Sequence, residues 1–66
     1  MRKFKVKLWA QTAFTEPSQV VVVDVKGVTG YRIETDGALT FYVDVEGVHN
    51  MPVRSFSSWL EVWEVA

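Results

Sequence analysis

Lysines occupy alternate positions at the start of the chain, Lys3, Lys5 and Lys7, and the run ends on Trp9. Successive side chains of an extended strand point to opposite faces, so this spacing gathers three ammonium groups and an indole on one surface. Cations beside a flat π-system suit a ligand that carries both a phosphate and an aromatic base. Arg32 and Tyr42 offer a second cation–aromatic pair, and Arg54 adds a fork of donors suited to an anion. The candidate ligand-binding set is therefore Lys3, Lys5, Lys7, Trp9, Arg32, Tyr42 and Arg54. A purely structural role competes with it. If the terminal strands are neighbours, Glu61 and Glu64 can pair with the lysines as ordinary cross-strand stabilisation. Arg32 and Tyr42 equally suit the polar side of a half-wet sheet.

Catalytic and metal chemistry have little to build on. His49 is the one histidine, and there is no cysteine. Ser55, Ser57 and Ser58 follow it without the context of a nucleophile elbow or a triad. Asp44, Glu46 and His49 lack a fourth ligand and any metal-site spacing. The glycines form no phosphate-binding loop. The sequence thus predicts a non-enzymatic protein with no catalytic residue, metal or cofactor.

These side chains must be positioned by a chain of 66 residues, read as one domain over 1–66. A domain this short buries only about 60% of its unfolded surface and is marginal alone. Disulfide staples are excluded for want of cysteine, so association with a second copy is the expected reinforcement. The formal net charge of −1 argues against non-specific nucleic-acid binding. Lys5 and Lys7 interrupt the apolar positions after Arg2 and Lys3, which argues against a leader peptide. No apolar run approaches the ~20 residues of a membrane span. A cytoplasmic location is expected.

The clearest element is a hairpin over Val28 to Val45. Leu39, Phe41, Val43 and Val45 alternate with polar positions, Tyr31 and Ile33 alternate with Arg32 and Glu34, and Asp36-Gly37 marks the turn. A three-residue loop, Thr35-Asp36-Gly37, sets Ile33 opposite Leu39 and Tyr31 opposite Phe41, which keeps the apolar side chains on one face. It gives Gly37 the positive-φ position and sets Gly30 opposite Tyr42. Residues 2–9 form a strand with Phe4, Val6 and Leu8 inward. Residues 10–18 are a loop containing Pro17, with Phe14 tucked beneath. A strand over 19–26 leads to a turn near Lys26-Gly27. Residues 46–58 read as irregular or a short edge strand, with Val53 and Phe56 inward. Residues 59–65 form the last strand, with Leu60 and Val62 inward. The fold class is all-β: a small antiparallel barrel or meander of five or six strands, SH3-like or OB-like, with no helix longer than a turn.

Val20 to Val23 break the alternation. Four consecutive β-branched residues suit a strand covered on both faces, so the strand either crosses a barrel corner or meets another subunit. Val20, Val22, Trp59 and Trp63 are the candidate interface residues, because exposed tryptophan marks contact surfaces.

The pattern Val28…Tyr31…Glu34-x-Asp36-Gly37-x-Leu39-x-Phe41-Tyr42, followed by Phe56-x-x-Trp59-Leu60-x-Val62, resembles small all-β accessory proteins of bacteriophages and prophages. The resemblance covers about the last two-thirds of the chain. It implies a host-manipulation role, either sequestering a nucleotide signal of host defence or capping a host protein. The leading expectation is a homo-oligomer that sequesters a phosphate-bearing small molecule. An inhibitor or adaptor of one host protein comes second, and a barrel that binds single-stranded nucleic acid third.

Overall fold

A computed structural model describes residues 1–9 and 20–66. The loop expected over 10–18, with Phe14 and Pro17, lies outside the described residues. Six strands follow in order: β1 (Arg2–Trp9), β2 (Val20–Val28), β3 (Gly30–Ile33), β4 (Leu39–Val45), β5 (Val48–Phe56) and β6 (Trp59–Val65). They form two antiparallel three-stranded sheets, β2-β1-β6 and β3-β4-β5. The described residues contain no helix. The molecule is all-β, and of the expected forms it takes the open meander rather than a closed barrel.

The β3–β4 hairpin has the register that face-matching predicts. Ile33 pairs with Leu39, Tyr31 with Phe41 and Gly30 with Tyr42. The Glu34 N–H donates to the Ala38 carbonyl at 2.8 Å and closes the three-residue loop, with Gly37 at φ +90°. The Asp36 carboxylate accepts from the Ala38 N–H at 3.0 Å. A Cβ on Gly30 would lie 2.9 Å from the Tyr42 hydroxyl oxygen, so the tyrosine ring covers bare backbone there.

The chain crosses between the sheets at β2–β3 and again at β5–β6. No turn forms at Lys26-Gly27, contrary to the sequence reading. β2 runs on to Val28, and Gly27 is an extra residue at φ +72° between the Lys3–Lys26 and Arg2–Val28 pairs. Such a bulge bends a strand at a sheet corner. Thr29 then ties the corner down: its N–H donates to the Tyr42 carbonyl at 2.9 Å, and its Oγ1 accepts from the Asp44 N–H at 3.0 Å. Val28 therefore belongs to β2 and the core, not to the hairpin.

The segment after Val45 is a nine-residue strand, longer than its breakers suggest. Gly47 at φ +80° makes the tight turn into it, and two irregularities in the β4–β5 register absorb the misfit. Asn50 takes φ +55°, and its N–H donates to the Asp44 carboxylate at 2.7 Å. Phe56 packs inward as expected, but Val53 is exposed.

The core lies between the sheets. It comprises Phe4 and Val6 from β1, Val25 and Val28 from β2, and Leu39, Phe41 and Val43 from β4. Ring centroids of Phe4 and Phe41 are 5.4 Å apart, Phe4 and Tyr31 5.4 Å, and Phe41 and Phe56 6.1 Å. In β6 the expected facing is half overturned. Lys7 pairs with Glu61 but Leu8 with Trp59, so Leu60 is bulged out and exposed while Trp59 turns onto the core beside Val62. The Trp59 Nε1–H donates to the Gly37 carbonyl at 2.8 Å and links β6 to the hairpin of the other sheet.

Phe41→Ala removes the ring at the centre of this core and should cost about 3–5 kcal/mol, enough to unfold so small a domain. Trp59→Phe keeps the ring but loses the bond to Gly37 and should cost about 1 kcal/mol. Urea titration by circular dichroism checks both; an unchanged Trp59→Phe midpoint would show that the indole bond does not join the sheets.

Candidate functional site

Burying Phe4 and Val6 obliges the lysines of β1 to face outward. The outer face of sheet β2-β1-β6 can be read as rows across the strands, because directly opposed residues share a face. Val20 lies beside Trp9. Val22, Lys7 and Glu61 form the next row, then Asp24, Lys5 and Trp63, then Lys26, Lys3 and Val65. Lys3, Lys5, Lys7 and Trp9 thus form one column, as alternation predicts.

Part of the column is internally paired. Lys7 Nζ is 3.5 Å from Glu61 and Lys5 Nζ 3.8 Å from Asp24, both pairs exposed. Exposed pairs of this kind add little stability and rearrange easily. Glu64 does not reach the lysines. It lies across from Phe4 and takes a two-pronged ion pair from Arg2, whose Nε and Nη2 each donate to a carboxylate oxygen at 2.9 Å. Arg2 also donates to the Thr29 carbonyl at 3.1 Å, and its guanidinium lies 4.9 Å from the Phe4 ring centroid. The hydrogen bond from Arg2 holds the Glu64 carboxyl below its ordinary 4.5.

Lys3 and Lys26 stand directly opposite one another. Among the described residues neither has a carboxylate within 4.0 Å. Like charges facing across a ladder are unfavourable unless an anion lies between them. Together with Phe4, Lys5, Asp24 and Val65 they line an open depression of about 180 Å³. Trp63, 41% exposed, stands in the adjacent row. The arrangement can hold a phosphate-sized anion between the Lys3 and Lys26 ammonium groups, with Lys5 paired to Asp24 at the margin and an indole in the next row.

The rest of the candidate set lies elsewhere. Arg32 is on the outer face of the other sheet, where its Nε donates to Glu34 at 2.8 Å and holds that carboxyl below its ordinary value. Tyr42 shares that face and lies over Gly30. Arg54, opposite Phe41 on β5, spreads over the Phe56 ring at 4.8 Å. The structure does not bring these three to the lysine column. Of the candidate interface residues, Val20, Val22 and Trp63 are exposed on the outer face, while Trp59 is half-buried on the core. Sequence reading missed Lys26, assigned to a turn, and Arg2, whose role depends on contacts with Glu64 and Thr29. Its Lys26-Gly27 pair fits a glycine bulge as well as a turn.

Searches against protein-family models, curated proteins and solved structures found no match. Among the described residues, no helix is long and apolar enough to cross a membrane.

Because Glu64 has a lowered pKa, the stability it contributes is present above pH 4.5 and disappears as pH falls through its folded-state value. Wild type should exceed Glu64→Gln in urea midpoint near neutral pH, and the gap should close below pH 4.5. A gap constant with pH would mean that the carboxylate's charge is not what matters.

Proposed function

We propose that this chain is a non-enzymatic binding protein, working as a homo-oligomer, whose outer β2-β1-β6 face takes a phosphate-bearing small molecule such as a nucleotide. The observation that carries this reading is the facing pair Lys3 and Lys26, with Lys5 and the depression between them and Trp63 alongside. The ammonium groups hold the phosphate. The indole supplies a stacking surface worth about 1–3 kcal/mol per base. Water screens each exposed cation, so binding to one chain is weak and a second subunit improves it. The resemblance to phage accessory proteins fits sequestration of a nucleotide signal in the host cytoplasm.

A second reading has its own support. Trp9, Val20, Val22 and Trp63 expose apolar surface on the same face, which suits capping of a host protein.

Calorimetric titration with AMP, cyclic di-AMP and inorganic phosphate separates the two readings. Under the first, the nucleotides bind more tightly than phosphate alone, and the double change Lys3→Ser with Lys26→Ser weakens binding at least tenfold while circular dichroism stays unchanged. No heat from any of the three in wild type would reject nucleotide binding and favour the protein partner.

A further inference from the structure

Among the described residues four strands border the two sheets, and three carry features that discourage pairing with another chain. β3 is only four residues long. β5 contains Pro52, Asn50 at positive φ and two breaks in register. β6 is bulged at Leu60 and carries Glu61 and Glu64. Short length, proline, bulges and charge are how natural sheets protect an edge. β2 differs: from Val20 to Lys26 it runs in unbroken register with β1, without proline or glycine. Val20, Val21 and Val22 are 40%, 39% and 51% exposed. Val21 points to the opposite face from Val20 and Val22, so the exposure belongs to the strand's edge and not to one face of the sheet.

We infer that β2 pairs antiparallel with β2 of a second copy, about a twofold axis normal to the sheet at Val22. Opposed residues of an antiparallel ladder share a face, so the axis must pass through a residue and not between two. At Asp24 it would oppose two carboxylates. At Val25 it would use the Gly27 bulge, where β2 turns toward the other sheet. At Val21, among the described residues, only Val20 to Val22 would pair, and at Val23 both Asp24 and Lys26 would face valines. At Val22, the most exposed of the three valines, Val22 meets its own copy, Val21 meets the partner's Val23, Asp24 is the one charged residue set against a valine (the partner's Val20), and no like charges are opposed. The isologous contact closes at two subunits.

The two outer faces then form one six-stranded surface. The two Val22 side chains meet at the centre of the seam between the lysine columns, each Val20 lies beside the partner's Asp24, and the two Lys7 positions are about 14 Å apart at ordinary strand spacing. This inference rests on the homo-oligomer of the proposed function but not on its ligand.

Native mass spectrometry and sedimentation velocity at micromolar concentration, without added ligand, test the pairing. Wild type and Trp63→Lys should be dimers, and Val22→Lys a monomer with an unchanged circular dichroism spectrum. The chain has no cysteine, so Val22→Cys introduces a single thiol and should cross-link to a dimer with a short bis-maleimide, whereas Val53→Cys on β5 should not. A monomeric wild type, a dimer that survives Val22→Lys, or a dimer lost in Trp63→Lys would overturn the pairing. If Val22→Lys fails to fold, the cysteine pair decides: absence of the Val22→Cys cross-link overturns the inference. A dimer that gives no heat with nucleotide would fail the ligand reading alone, and a monomer that binds nucleotide would fail the edge pairing alone.

Discussion

Phe4 and Phe41, one from the central strand of each sheet, meet with their ring centroids 5.4 Å apart. Most of the structure follows from keeping that contact dry. Tyr31 closes on Phe4 edge-to-face and Phe56 closes on Phe41 in the same way. Such pairs add to the burial of the rings themselves. Because strand side chains alternate, turning Phe4, Val6 and Leu8 inward also turns Lys3, Lys5, Lys7 and Trp9 outward. The core and the candidate site are two sides of one constraint.

Bulges make the two sheets compatible with so few residues. Gly27 lets β2 bend toward the second sheet and sets Val28, not Gly27, opposite Arg2, while Lys26 meets Lys3 in the regular ladder before the bulge. The bulge at Leu60 exchanges a leucine for an indole in the core, and the indole N–H reaches the Gly37 carbonyl. Both shift side-chain alternation by one residue. The bulges therefore decide that Val28 and Trp59 join the core while Leu60 does not, whereas the lysine column and its neighbours follow regular alternation.

The outer face combines two kinds of interaction. Its ion pairs are exposed, weak and easily rearranged. Its valines and tryptophans gain nothing from water and stabilise whatever covers them. A chain this small buries few residues, and the apolar edge of β2 supplies surface that a second copy can cover.

The sequence by itself determined the all-β class, the facing of β1 and the full register of the β3–β4 hairpin. Those features are local: period-two alternation, an Asp-Gly turn and a glycine opposite a tyrosine suffice. The lysine column was legible for the same reason. Tertiary structure alone decided which acids meet which cations, sending Glu64 to Arg2 and Glu61 to Lys7. It also separated Arg32, Tyr42 and Arg54 from the lysines, because these lie on the other sheet, whose position is set by the corner at Gly27 and Thr29. The inward turn of Trp59 and outward turn of Leu60 were likewise illegible, since the bulge at Leu60 is marked by no glycine or proline and leaves the facing of Glu61 to Val65 as alternation predicts. The inward-turned indole meets the Gly37 carbonyl, 22 residues away in the chain and 2.8 Å away in space.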